Sequence, residues 1–313
     1  MEKLVTYASL VRPALLVLAP LGAGVLARRT GALRPLFRLI RALVLWAVLP
    51  ALVFGSVAVK HADIFSLGGG AVLALVGLGA TAATSAVLTH ITKMGGEESI
   101  AVFINSSFMN YTFLGLAVVA VVNVDWLGAA SAYAVTMGVI HLTVGVVLAS
   151  GGSGKRMGPR EVVLSVLTFP AAFALIAAML FVGFDVSFPI AAQEWVDKLA
   201  DPEVILMLLT AGYQMPLVDP RKYLSQISMV GAIRFLVCPL VTFAAIMLLG
   251  FERSGPAAGA SMLLSVMPPG VFNLILAQNF GLDLRLHGAI VFYLTVISLF
   301  VAVPLIVFLW ILP

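Results

Sequence analysis

Long apolar runs follow one another along this sequence, and short polar links separate them. A membrane-spanning helix needs about 20 mainly apolar residues, and ten runs come close to that length. None of the links is long enough to form a separate water-soluble domain. The pattern predicts an all-α polytopic membrane protein with ten transmembrane helices, at approximately 6–27, 35–58, 67–91, 98–122, 126–149, 161–183, 200–217, 227–250, 256–280 and 288–312.

The composition agrees with a membrane protein and excludes several other classes. Hydrophobic residues make up 62% of the chain and charged residues only 10%, whereas soluble domains carry about 25% charged residues. The net charge of +4 is small and gives no indication of nucleic-acid binding. The single cysteine, Cys238, lies in an apolar run, so the sequence provides neither a disulfide framework nor a cysteine metal site.

The basic residues predict the orientation of the chain, because cytoplasmic links carry an excess of Lys and Arg. We expect a multi-pass cell-membrane protein with both termini outside, and we interpret residues 6–27 as a first span rather than a cleaved signal peptide. The links on one side hold only five basic residues. Those on the other side hold twelve: Arg28, Arg29, Arg34, Arg38, Arg41, Lys93, Lys155, Arg156, Arg160, Arg221, Lys222 and Arg285.

The linker at 151–158 divides the ten spans into two groups of five. Groups with an odd number of spans enter the membrane in opposite orientations, and such inverted repeats are common in secondary transporters. We expect residues 1–150 and 159–313 to form the two repeats. Span seven, at 200–217, is short and begins at an Asp-Pro pair, so it either extends back over 190–199 or follows a short interfacial helix at 191–198, and we favour the interfacial helix.

Spans four and nine, which correspond in the two repeats, are interrupted near their centres. Span nine contains SVMPPGVFNLILAQNF at 265–280, and span four contains NSSFMNYTFLG at 105–115. Prolines remove backbone donors and clash with the preceding turn. Lipid offers no hydrogen bonds, so a broken helix must be buried in protein or line a cavity. We expect helix breaks around Gly115, Pro268 and Pro269; a proline kink without function is the alternative.

Each break would create two helix ends at mid-membrane. A helix N-terminus carries about +0.5 elementary charge, so two N-termini that meet form an anion site without any basic side chain. The two C-terminal ends, with their free carbonyls, could hold a cation. The candidate substrate-binding residues are Asn105, Asn110, Tyr111, Thr112, Gly270 and Asn273.

Three segments resemble the auxin efflux carrier family, which includes plant auxin exporters and bacterial carriers of small carboxylates. They are LRPLFRLIRALVLWAVLPALVF at 33–54, SSFMNYTFLGLAVV at 106–119 and MPPGVFNLILAQNFGLD at 267–283. The chain departs from the family pattern at Ala117, where the family has proline, and at Tyr111, where it has threonine. Asn273 stands where plant exporters have proline. The first break is therefore expected to depend on polar residues instead of proline.

The resemblance implies an inverted-repeat fold shared with the bile acid–sodium symporters. In that fold spans four and nine cross at mid-membrane, the substrate binds beside the crossing, and a mobile domain moves against a scaffold in an elevator-like cycle, often in a homodimer. Carried over by motif, the site residues are Asn110 and Gly115 in span four, and Pro268, Gly270 and Asn273 in span nine.

Three further polar residues are candidates for the site. His141 is either a proton-sensitive group or a neutral imidazole bonded between helices, and we favour the second. Arg234 lies inside span eight, where it could bind a substrate carboxylate, reach the cytoplasmic interface or cap a helix end. Gln214 either lines a cavity or lies at the interface.

The resulting hypothesis is a secondary transporter in the lipid bilayer that moves a small organic anion, with no cofactor and no metal centre. No Asp or Glu lies inside a span, which argues against carboxylate-based proton coupling but leaves Na+ or another route for H+ open. The alternatives are a sodium-coupled symporter of the bile-acid type and a non-transporting ligand sensor. An enzyme is disfavoured, because the spans lack paired carboxylates and a nucleophile–base pair.

Overall fold

The computed structural model describes residues 19–20, 22–29, 33–59, 64–152, 158, 160, 170–214 and 219–311. Within these ranges the chain is helical, and the β-pairing is limited to one isolated antiparallel bridge between Met109 and Pro269. The all-α prediction is therefore confirmed. Predictions for 1–18 and 161–169 fall outside the described residues.

The described residues form twelve helical segments, which we number in chain order. Several of them contain π-helical turns, in which the hydrogen bonds run from i to i+5. The segments are α1 (22–29), α2 (34–59), α3 (Ile64–Ile91), α4 (Gly96–Ser107), α5 (Tyr111–Val122), α6 (124–152), α7 (Pro170–Gly183), α8 (Ile190–Gln214), α9 (Arg221–Leu248), α10 (Pro256–Ser265), α11 (Phe272–Phe280) and α12 (284–311).

Four of the helices, α3, α6, α9 and α12, are long and apolar enough to cross a membrane. A helix of 27 residues, such as the apolar part of α3, is about 40 Å long, which exceeds a hydrocarbon core of about 30 Å. Large apolar side chains cover the outside of these helices, including Phe65, Leu240, Leu248 and Phe308. A surface of this kind is stable in lipid and would aggregate in water.

Helix α8 decides between the two predictions for span seven. One continuous helix runs from Ile190 to Gln214 and contains Pro202 in its interior, so the span extends back over 190–199 and the favoured interfacial helix at 191–198 is wrong. An Asp-Pro pair is typical of a helix start. A proline inside a helix, however, removes only one backbone hydrogen bond and distorts only the preceding turn. The buried Met207 and Leu208 belong to the central core, and their packing helps to hold the helix together beyond the proline.

Two helices are broken, and their breaks lie in the core. Helices α4 and α5 are separated by residues 108–110, and α10 and α11 by residues 266–271. The ends of these half-helices carry ordinary signals. Glu97 and Glu98 lie in the first turn of α4, where acidic groups complement the helix dipole. Gly281 ends α11 with φ of +70°, a left-handed conformation that glycine adopts without strain.

Candidate functional site

The two breaks are joined by backbone hydrogen bonds. The Asn110 N–H donates to the Pro268 carbonyl at 2.7 Å, and the Gly270 N–H donates to the Phe108 carbonyl at 2.9 Å. These two bonds form the bridge between Met109 and Pro269. Each break thus satisfies backbone groups that the other leaves free, which is what a non-helical segment away from water requires.

Glycine is needed at two positions beside this bridge. A Cβ atom on Gly270 would lie 2.9 Å from the Met109 carbonyl oxygen, which is too close for a backbone neighbour that is fixed by the bridge. A Cβ on Gly115 would lie 2.7 Å from a methyl carbon of Leu264 and 3.0 Å from the Asn110 carbonyl oxygen. The sequence prediction of a helix break at Gly115 is imprecise, because the break itself lies at 108–110 and Gly115 is inside α5.

The region where the two breaks, 108–110 and 266–271, meet is called the crossing below. Asn273 connects the start of α11 to the first break. Its Nδ2 donates to the Phe108 carbonyl at 3.0 Å and to Asn105 Oδ1 at 3.1 Å. Asn110 is bonded more locally, since its Oδ1 caps α5 by accepting from the Leu114 N–H at 3.3 Å. The two asparagines that the sequence singled out are thus both buried at the crossing, but they make different contacts.

Asn105 extends this network to a histidine that sequence reasoning missed. The Asn105 Nδ2 donates to the Ala101 carbonyl at 2.8 Å and lies 2.9 Å from His287 Nδ1. His287 therefore accepts at Nδ1, with its proton on Nε2. The predicted span ten begins at 288 and leaves His287 in a link, whereas α12 begins at Leu284 and His287 is buried. The signal was Asp283, whose carboxylate caps α12 at the Arg285 and Leu286 N–H groups.

His141 is enclosed by aromatic rings at the crossing. Its imidazole stacks on Phe108 with ring centroids 4.2 Å apart and makes an edge contact with Phe272 at 4.9 Å. The Tyr111 hydroxyl lies 3.4 Å from His141 Nδ1. This environment matches the neutral, packed histidine of the second interpretation.

Thr112 is half-buried in α5.

Six buried polar atoms around the crossing have no hydrogen-bond partner within the described protein. They account for six of the eleven such side-chain atoms in the described part of the chain. An unsatisfied buried donor or acceptor costs about 1–3 kcal/mol, so a cluster of them indicates a place for further polar partners. The six atoms are Ser106 Oγ, Ser107 Oγ, Asn110 Nδ2, His141 Nε2, Asn273 Oδ1 and His287 Nε2.

Arg234 lies on the other side of the two breaks from the start of α11, at the C-terminal ends of α4 and α10. Its side chain is 1% exposed. Nη2 donates to the carbonyls of Ser265 at 3.1 Å and Met267 at 3.0 Å, and Nη1 reaches the Ser106 carbonyl at 3.5 Å. Of the alternatives left open by the sequence, the structure shows a buried cap on helix ends. The Val266 carbonyl is capped separately by the Ser298 hydroxyl at 2.7 Å.

Three side chains that approach the breaks from unbroken helices share a local feature. His141, Arg234 and Ser298 each lie at the first or second position of a π-helical segment, namely His141–Gly145, Ile233–Val237 and Ser298–Ala302. A π turn inserts one extra residue into a helix and is frequent at functional sites. The sequence pattern carried no signal for these turns, since isolated apolar runs do not show where a helix widens.

Gln214 is the last residue of α8, and its side chain lies outside the described part of the chain. The neighbouring Tyr213 stacks on Phe37 with centroids 3.8 Å apart, which is a packing contact and not part of the crossing.

A cleft of about 690 Å³ opens between α3, α4 and α6. Its lining includes His90, Lys93 and Ile104, the last of which is adjacent in sequence to Asn105. The remaining lining residues are Ala86, Thr89, Met94, Ser99, Ile100, Phe103 and Leu148. The cleft therefore lies beside the same half-helix that carries Asn105.

The described residues contain no group of three or more His, Cys, Asp or Glu side chains that could hold a metal ion. A family model described as "Membrane transport protein" matches the chain twice, at residues 14–161 and again at residues 156–307. No curated protein sequence matches the chain significantly.

Proposed function

Because the chain belongs to the auxin efflux carrier family of membrane transport proteins, we propose that it is a secondary carrier for a small organic anion. The substrate would bind at the crossing of the two broken helices, between the N-terminal ends of α5 and α11. Asn110 would be its main side-chain donor through Nδ2, and Asn273, Asn105, Tyr111, Thr112 and Gly270 would surround it.

The observation that carries this proposal is the cluster of unpaired polar atoms at the crossing. Asn110 Nδ2 is a buried donor without a partner, and the cap of α5 holds the rest of its amide in place. A carboxylate would satisfy such a donor, and the dipoles of two adjacent helix N-termini would favour its charge. Lys93, which lines the adjacent cleft, would attract an anion towards the same region.

The proposal includes the finer architecture predicted from the sequence. The ten spans would form two inverted five-helix repeats, at 1–150 and 159–313, with both termini outside the cell membrane. The family model matches once in each of these regions, which supports a duplicated origin. Two copies of the chain would form a homodimer, as the resemblance implies.

Transport would follow an elevator-type alternating-access cycle. The backbone bridge and the Asn273 bonds tie α4, α5, α10 and α11 to each other, and Arg234 ties α9 to the same group. Helices joined in this way would move together, so the bound anion would travel with them. A ligand sensor would use the same site without net movement of solute, and saturable counterflow distinguishes the two.

Transport in proteoliposomes tests this function. Charge movement or uptake is measured for a panel of mono- and dicarboxylates, and the substrate that gives a saturable signal is then used in binding experiments. Asn110→Ala should weaken binding about 10-fold or more, because a hydrogen bond to a charged group contributes about 1.5–3 kcal/mol. Asn273→Ala should weaken binding as well, because the two N–H donors of Asn273 hold the first break in the shape that presents Asn110.

Asn123→Ala is the matched control, since Asn123 also caps a helix through its side chain but lies outside the crossing. It should leave the affinity for the anion unchanged. A folded Asn110→Ala/Asn273→Ala double variant that binds with normal affinity would remove the crossing as the substrate site.

A further inference from the structure

Arg234 lies where the C-terminal ends of the two first half-helices meet. One end is the Ser106 carbonyl of α4 and the other is the Ser265 carbonyl of α10, followed by Met267 in the break. The last carbonyls of a helix have no intrahelical partner, and the helix C-terminus carries about −0.5 elementary charge. Two such ends side by side form a site with the electrostatic character of a cation site.

The guanidinium uses all of its donors for these protein contacts. Nε donates to Met267 at 3.2 Å, and Nη1 also reaches Cys238 Sγ at 3.7 Å. Nη2 also reaches Met109 Sδ at 3.1 Å. Arginine has five N–H donors, whereas these contacts number six, with one on Nε, two on Nη1 and three on Nη2, so at least one N–H is shared between two acceptors. None is left to bind a substrate carboxylate directly.

The positive charge of Arg234 is balanced without a carboxylate. No Asp or Glu is among the buried side chains in the described part of the chain. A buried charge without compensation is very costly, so the carbonyl dipoles at the two helix ends must supply the compensation. In carriers built from broken helices, half-helix C-terminal ends and unwound carbonyls hold the coupling Na+ or H+.

We propose that the Arg234 guanidinium is a built-in replacement for a coupling cation at the C-terminal pole of the crossing. It neutralises the two helix ends permanently, so the protein needs no Na+ there. The planar guanidinium spans both ends at once, which a lysine ammonium as a point charge would not do. The inference extends the proposed carrier function, but the cation site itself does not depend on transport. Without the Arg234 side chain, the stability of the protein should depend on a free cation that binds in its place.

Thermal unfolding of the substrate-free protein tests this directly. Wild type should have the same Tm in sodium chloride and in choline chloride. Arg234→Ala should lower the Tm in choline chloride by about 5 °C or more, and Na+ or guanidinium at low millimolar, non-denaturing concentration should raise it again. Wild type stabilised by Na+, or an Arg234→Ala protein that responds to no small cation, would overturn the proposal.

Arg253→Ala is the matched control. Arg253 also donates to a carbonyl at a helix end, that of Leu309 at 3.1 Å, but this contact is exposed. Its removal should lower the Tm little, and neither cation should restore what is lost. Where Arg234→Ala does not fold, Arg234→Gln carries the same test, and Arg234→Lys should be insensitive to Na+ because it keeps a positive charge.

The transport assay provides a second, separate readout. Uptake by wild type should be the same with Na+ or choline outside, whereas uptake by Arg234→Gln should require Na+. The unfolding experiment needs no substrate, so its outcome stands even when no carboxylate is transported. If Na+ or guanidinium raises the Tm of Arg234→Ala but no transport assay gives a signal, the role of Arg234 as a replacement cation is supported and the carrier function is rejected.

Discussion

The two helix breaks face each other, but they are built differently. The second break contains Pro268 and Pro269, which lack the N–H groups that a helix would need. The first break, at 108–110, contains no proline. Its Phe108 carbonyl accepts from both the Gly270 N–H and Asn273 Nδ2, and its Asn110 N–H donates to Pro268. The first break therefore depends on bonds supplied by the second.

The second break therefore follows from its own sequence, whereas we infer that the first is induced by contact with the second. Without the second break, residues 108–110 would have every backbone donor needed to continue the helix from α4 into α5. Variants that separate the two breaks should therefore affect the first more than the second, and variants that remove single side chains should have graded effects.

The largest effect is expected from Gly270→Ala. The new Cβ would lie 2.9 Å from the Met109 carbonyl oxygen, so the bridge would have to open. Overpacking at a fixed site costs about 1–3 kcal/mol, and the two backbone hydrogen bonds of the opened bridge add about 1 kcal/mol each. We therefore expect a loss of about 3–5 kcal/mol in thermal unfolding together with loss of transport. Gly79→Ala is the control, because nothing lies within 4 Å of a Cβ at Gly79. Equal Tm values for the two variants would contradict a closely packed bridge.

An intermediate effect is expected from the two asparagines, and it should be unequal. Asn273→Ala removes two hydrogen bonds and leaves Asn105 Oδ1 without its donor, which we expect to cost about 2–3 kcal/mol. Asn110→Ala removes one capping bond, a loss of about 1 kcal/mol. Denaturant unfolding of both proteins in the same detergent measures the difference. Equal losses would mean that Asn273 does not support the first break.

The smallest effect is expected from Tyr111→Phe. This change removes a hydroxyl whose contact with His141 Nδ1 is long, at 3.4 Å, and keeps the ring that packs in the core. We expect a loss of stability below about 1 kcal/mol, again measured by denaturant unfolding. A loss as large as that of Asn273→Ala would show that the Tyr111–His141 pair holds the first break in place.

The two breaks could be predicted from the sequence because their residues are unusual for the centre of an apolar helix. Prolines and paired asparagines are rare at the centre of an apolar helix, so 265–280 and 105–115 stood out without any tertiary information. The family resemblance was confirmed by the match of the membrane transport family over both halves of the chain. The substrate-binding roles of Asn110, Asn273 and their neighbours remain predictions.

The contacts between distant segments could not be predicted in the same way. The depth of Arg234 followed from counting residues, but its partners Ser106 and Met267 are more than 30 positions away in each direction. His287 was missed because a boundary error of four residues moved it out of its helix. The continuity of α8 through Pro202 reflects packing in the folded protein, which a local helix-start signal does not contain.

The fixed charge of Arg234 has a consequence for the membrane voltage. In the proposed cycle the empty binding unit would carry one positive charge across the bilayer, whereas the unit loaded with a monovalent anion would carry none. A potential of 100 mV changes the energy of one moving charge by about 2.3 kcal/mol. Voltage would therefore act on the movement of the empty carrier, and a cell with a negative interior would draw the unloaded site towards the cytoplasm.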